Sequence, residues 1–216
     1  MPPRLSRRDL GLEALRLDTL PCSGLDTGLG IRLPAYGRAS REGGKASFAA
    51  FELGVRIAAR GLVAGLVTAP ISKAAWSLAG VPYRDHTEYL KAETRLSDVQ
   101  MILGVPRLKL WCVLATRHIP LRQVSGALSI AQVVSAARSL HCALKRLGVS
   151  KPRLGLCGFN PHAVENGLLG DEERKVLIPA AAAAKHASLK LEGPIAADAA
   201  WRRHVKGNLD GLVALY

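Results

Sequence analysis

Three histidines, His86, His118 and His162, stand beside turn residues rather than within apolar faces, where a neutral imidazole can ligate a metal or face a bound group. His162 lies in the stretch from Arg153 to Glu173. That stretch opens as a short apolar run, Leu154 to Cys157, of the kind that makes a buried strand, and breaks at Asn160-Pro161, where a turn is favoured over a helix. Glu165 follows His162 by three residues, then come Gly167 and Gly170. Asp171-Glu172-Glu173 next opens a predicted helix, with acids at its positive end. His118 follows Leu108 to Thr116, a nearly continuous apolar run that reads as a central strand. Two such strands running parallel would release His118 and His162 at one sheet edge, where α/β proteins keep their chemistry and where the rings could share a metal. Two imidazoles fall short of the usual three protein ligands, and both residues also fit ordinary loop histidines.

Lys73 opens a helix that starts at Ile71-Ser72. A lysine there opposes the helix dipole, so it is either simply solvated or kept for an anionic ligand. His86 sits in the polar knot Val81 to Leu90, where Asp85 or Thr87 can cap the next helix; its ring is either surface or aimed at a bound group. His141, His186 and His204 read as surface residues on helices.

The elements that must position these residues alternate. Helices are predicted over Lys45 to Arg60, Ser129 to Leu147, Val176 to Lys190 and Ala199 to Lys206, and buried strands over Leu62 to Val67, Gln100 to Gly104, Leu108 to Thr116 and Leu212 to Tyr216. Pro21 to Gly30 and Leu191 to Asp198 read as loop or turn, with a further strand around Ile31 to Leu33. The pattern implies an α/β fold with a mostly parallel sheet flanked by helices. Residues 1–43 form a poorly patterned N-terminal segment and 44–216 the core. No GxGxxG follows a strand, and neither a GxxxxGK[ST] loop nor a CxxC pair occurs, which disfavours a dinucleotide fingerprint, a P-loop and a zinc ribbon.

Composition narrows the classes. The net charge is +13, from 30 Lys plus Arg against 17 Asp plus Glu, but the basic residues are scattered, and no aromatic residues interleave with them as a stacking platform. A solvated basic surface or an acidic small substrate fits better than nucleic acid. No run of about 18 uncharged apolar residues signals a membrane span. The N-terminus lacks the apolar core of a signal peptide. Cys112 and Cys157 lie inside apolar runs and read as buried thiols in a reducing cytoplasm.

An ordered motif set adds to this reading: Leu66 to Lys73, Asp85-His86-Thr87-Glu88, Thr116 to Leu121, Cys157 to Ala163, Leu191 to Pro194, and Asp210 to Tyr216. Their order and separation resemble the 4-hydroxythreonine-4-phosphate dehydrogenase family of vitamin B6 biosynthesis, from about Gly37 onward. The resemblance implies a fold like that of the isocitrate and isopropylmalate dehydrogenases, truncated here, and a homodimer with its active site at the interface. It also implies metal-dependent oxidation of a phosphorylated hydroxythreonine by NAD or NADP, then loss of CO₂ to give 3-amino-2-oxopropyl phosphate. Carried over by motif, His118 and His162 are metal ligands for zinc, magnesium or cobalt. His86 and Thr87 bind substrate, and Lys73 and Asn160 line the same pocket. The location implied is the cytoplasm.

The sequence departs from the family pattern in four places. Asp85 and Val164 stand where the family has glycine, so substrate fit is altered. The family's His-Asp-Gln, which supplies a third metal ligand, would come just after Tyr216, and the family's N-terminal Gly-Asp-Pro-Ala-Gly segment is missing. The expectation is therefore a fragment, inactive alone. The alternatives are a non-catalytic remnant that binds a metal or a partner subunit, and a relative acting on phosphothreonate or an aromatic dihydrodiol.

Overall fold

The computed structural model describes residues 14–17, 22–25, 27, 37–96, 99–160 and 170–216. The strand expected around Ile31 to Leu33 lies outside them, as do His162 and Val164. The chain forms two compact units, residues 1–99 and 100–216.

The first unit contains an antiparallel hairpin, β1 (Ala14–Leu17) with β2 (Cys22–Leu25), followed by helices α1 (Arg41–Ala59), α2 (Lys73–Ala79) and α3 (His86–Thr94). The β2 residues had read as loop. Ser40 caps α1, accepting from the Gly43 N–H, and Phe51 and Val55 recur at helical spacing on its buried face. α2 lies close against α1, because any Cβ at Gly44 would collide with the Ala75 carbonyl. Trp76 and Tyr89 complete an aromatic core with Phe51, and the Trp76 indole N–H donates to Ser47 Oγ at 2.9 Å. Leu62 to Val67 is not a strand. It runs as bends and extended chain, with Val67 98% exposed. An apolar run becomes a strand only beside a neighbour that satisfies its ladder, and no such neighbour stands among the described residues.

The second unit is a five-stranded sheet with order β3-β4-β7-β5-β6, formed by β3 (Ile102–Val105), β4 (Leu110–Leu114), β5 (Arg153–Cys157), β6 (Lys190–Ile195) and β7 (Gly211–Ala214). β4, β7, β5 and β6 are parallel, and β3 is antiparallel at one edge. The sheet is therefore mostly parallel, as the alternation implied, with β7 rather than β4 at its centre. Alternate residues face opposite layers. Val113, Leu154, Leu156 and Val213 meet α5 (Ile130–Arg146) and α6 (Ile178–His186), while Cys112, Cys157 and Leu212 meet α7 (Ala197–Val205). From α5, Val133, Ala136, Ala137, Leu140 and Leu144 are buried, each leucine stabilising the unit by about 1.5–3 kcal/mol. A short helix, α4 (Leu121–Ala127), precedes α5, and a π-helical turn, Glu173–Leu177, precedes α6.

Two sequence readings change here. Leu191 to Asp198 is largely strand β6, not turn: Gly193-Pro194 signals a turn, but an edge strand pairs on one side only and tolerates proline. His204 is buried, not on the surface. Its Nε2 accepts from the Trp111 N–H at 2.8 Å, which leaves Nδ1 to donate to the Leu209 carbonyl at 2.8 Å, so one neutral tautomer ties α7 to β4. Among the described residues no single helix is long and apolar enough to cross a membrane.

Candidate functional site

The candidate residues divide between the units: Lys73, His86 and Thr87 in the first, His118 and Asn160 in the second. Both helices that carry the first group start at a side-chain cap. Ser72 accepts from the Ala75 N–H at 3.2 Å, which makes Lys73 the first residue of α2. Asp85 Oδ1 accepts from the Glu88 N–H at 3.0 Å, which makes His86 and Thr87 the first two residues of α3. The other Asp85 oxygen lies 3.9 Å from Lys73 Nζ. Asp85 thus links the two helix starts and offsets part of the lysine charge. The His86 ring packs 4.4 Å from Phe51 and 5.6 Å, edge to face, from Trp76, centroid to centroid. It walls a cavity of about 230 Å³ with Phe51, Ser47 and the chain from Leu66 to Ile71. Thr87 is exposed at the helix start.

In the second unit, parallel β4 and β5 end on the same sheet edge, one strand apart. Beyond β4, the Ala115 and Thr116 N–H groups continue the ladder to the Ala214 and Leu215 carbonyls, and Thr116 Oγ1 also donates to Leu215 at 2.6 Å. Arg117 Nη1 donates to Gln100 Oε1 at 2.6 Å. His118 follows, exposed, in the left-handed region at φ 53°, uncommon for a residue with a side chain. Beyond β5, the Gly158 N–H donates to Ile195, and Phe159 and Asn160 border a cavity of about 510 Å³ with Asp198, Trp201 and Tyr216.

Sequence reasoning missed what holds this second strand end. Glu173 is 4% exposed. One of its carboxylate oxygens accepts from the Phe159 and Asn160 N–H groups at 2.9 and 2.7 Å; the other accepts from Asn160 Nδ2 at 2.9 Å. Glu172 accepts from the same Nδ2 at 3.0 Å and from Ser125 Oγ at 2.7 Å. The Ser125 hydroxyl and then the Asn160 amide hold the Glu172 carboxyl below its usual range. In the sequence these acids read only as suited to a helix start. Their one further signal is their place just after Gly170-Asp171.

Two chemistries can be tested against this geometry. Burial, then the neighbouring Cys112, pushes the Cys157 thiol up to about 12, so it is no thiolate nucleophile. Among the described residues, no three His, Cys, Asp or Glu side chains gather to hold a metal ion. The described donors do not fit a metal by themselves.

Residues 11–216 match the family described as pyridoxal phosphate biosynthetic protein PdxA. The chain is 35% identical over 208 residues to a 4-hydroxythreonine-4-phosphate dehydrogenase of Beijerinckia indica subsp. indica, covering 96% of this chain and 60% of that protein. It is 36% identical over 180 residues to a D-threonate 4-phosphate dehydrogenase of Salmonella typhimurium, covering 83% of this chain and 54% of that one. A crystal structure of 4-hydroxythreonine-4-phosphate dehydrogenase from Klebsiella pneumoniae superposes with a TM-score of 0.76 at 35% identity, over 83% of this chain and 54% of that one. The chain thus spans between half and two thirds of the length of these relatives.

Proposed function

The chain belongs to the PdxA family, and on that premise we propose that its protein oxidises 4-phosphooxy-threonine (4-hydroxythreonine 4-phosphate) with NAD or NADP in pyridoxal phosphate biosynthesis. The hydroxyl loses a proton and its carbon a hydride. The β-keto acid formed then breaks its bond to the carboxylate, giving CO₂ and 3-amino-2-oxopropyl phosphate. The observation that carries this reading is that β4 and β5, parallel and one strand apart, deliver His118 and the Asn160 loop to one edge within a family match covering nearly the whole chain.

In this proposal His118 and His162 are ligands of a divalent cation, and His86, Thr87, Lys73 and Asn160 bind substrate. When bound, the cation supplies a Lewis acid and the dinucleotide a hydride acceptor. Lys73, exposed at the start of α2, offers a cation to the phosphate, tempered by Asp85. His86 and Thr87 present polar groups at the start of α3, with His86 braced by Phe51 and Trp76. The protein acts in the cytoplasm as a homodimer whose interface completes the site.

Similarity to the D-threonate 4-phosphate dehydrogenase is of the same order, so that substrate is the second reading. The test exchanges residues 11–216 into the Beijerinckia indica relative and measures reduced dinucleotide formed from each phosphorylated acid, with and without chelator. Chelator-sensitive turnover, faster with 4-phosphooxy-threonine, is expected. Faster turnover of the threonate selects the second reading. No turnover of either with metal present leaves the alternative of a non-catalytic remnant.

A further inference from the structure

Asn160 Nδ2 carries two hydrogens, and two carboxylates stand ready to take both: Glu172 at 3.0 Å and Glu173 at 2.9 Å. Turning the amide over would set its oxygen against both carboxylates, so its orientation is forced. The backbone beneath it is fixed as well, because Glu173 also accepts the Phe159 and Asn160 N–H groups. Ser125 on α4 steadies Glu172 at 2.7 Å. Room for the arrangement comes from Gly170, at φ 140°, where a Cβ would lie 2.5 Å from Glu172 Oε2 and 2.7 Å from Asn160 Nδ2. The π-helical turn begins at Glu173 itself, a backbone irregularity of the kind that re-aims side chains at functional sites.

We propose that Glu172 and Glu173 are positioning residues that clamp Asn160 so that its side chain meets a ligand only as a hydrogen-bond acceptor, through Oδ1. The consequence concerns which part of the substrate it recognises. A phosphate or carboxylate needs donors, and both donors of this amide are engaged. A hydroxyl or an ammonium group is the partner an acceptor takes. The assignment of that group to 4-phosphooxy-threonine rests on the function proposed above; the clamp does not.

Asparagine-selective ¹⁵N labelling of the 216-residue chain tests the clamp directly, since the chain holds only Asn160, Asn166 and Asn208. The Asn160 side-chain amide is expected downfield and slower to exchange than that of Asn208. E173Q should move it strongly and E172Q less. E172Q also guards against misfolding of E173Q, since it leaves the backbone contacts of Glu173 in place. An Asn160 amide that exchanges like Asn208, or that E172Q does not move, overturns the clamp.

Titration of the exchanged protein, residues 11–216 of this chain in the Beijerinckia indica relative, then tests the acceptor role. Inorganic phosphate should bind N160S as well as it binds the unaltered exchanged protein. 4-Phosphooxy-threonine should bind N160S about tenfold more weakly, the loss of roughly one hydrogen bond. Equal weakening for both ligands overturns the acceptor assignment. Failure of 4-phosphooxy-threonine to bind the unaltered exchanged protein counts against the substrate assignment and the proposed function together, while the amide spectrum still judges the clamp.

Discussion

The two units hold their candidate residues by opposite means. In the first, His86 leans on aromatic rings, and its neighbours are set by helix caps at an open surface. In the second, Asn160 is held by charged hydrogen bonds to a buried carboxylate at the end of a sheet strand. Ring packing is less directional than hydrogen bonding and leaves more room for small adjustment, whereas a carboxylate accepting three N–H groups fixes position and orientation together. The first unit is thus suited to adapting around a ligand and the second to presenting one geometry.

The ring core of the first unit depends most on Trp76. W76A removes a 1%-exposed ring that touches Phe48, Phe51 and His86, and should destabilise the first unit by about 3–5 kcal/mol. Hydrogen exchange of α1 and α2 amides reports the loss, and unchanged protection there would refute the ring core.

The second unit should respond instead to charge. The guanidinium of Arg153, hydrogen-bonded to Asp210 at 2.9 and 3.0 Å, holds the Asp210 carboxyl below its usual range. A depressed folded value means stability that is full above the unfolded value of about 3.9 and is lost as pH falls through the folded value. D210A should cost about 1–3 kcal/mol at neutral pH, with the gap to the unaltered chain closing below about pH 4 in urea melts. A gap independent of pH would contradict the ion pair.

A smaller effect separates the roles of Asp85. D85A should cost about 1 kcal/mol through the lost cap of α3, whereas D85N keeps a capping oxygen and should cost a few tenths. Thermal melts distinguish the two. Equal losses would make the link to Lys73 the main contribution. The gentlest probe needs no substitution: Cys142 is exposed and should alkylate at once, while Cys112 and Cys157, buried in the sheet, should react only as the second unit opens.

Much of the second unit was legible beforehand because its signals are local. Apolar runs gave β4, β5 and β7, and helical spacing gave α5. Where meaning depends on partners distant in sequence, legibility failed. Leu62 to Val67 has the composition of a strand but no described neighbour to pair with, while Gly193-Pro194 has the composition of a turn but lies on a sheet edge. His204 looks like a surface residue until β4 arrives from 93 positions away. The candidate site divides the same way. Lys73 and His86 at helix starts and His118 past a strand end follow from local pattern, but the grip of Glu173 on Asn160 spans 13 residues, which no periodicity encodes.

The imidazoles of His118 and His162 are the proposed metal ligands at one sheet edge. The direct measurement is the rate of reduced dinucleotide formation from 4-phosphooxy-threonine by the exchanged protein, compared with its H118A and H162A forms at saturating zinc or cobalt. Loss of at least about a hundredfold in each, the scale expected when a charge-stabilising ligand goes, is the predicted result. Undiminished turnover in either variant would contradict the assignment of that histidine and, with it, the reading of the sheet edge as the reaction centre.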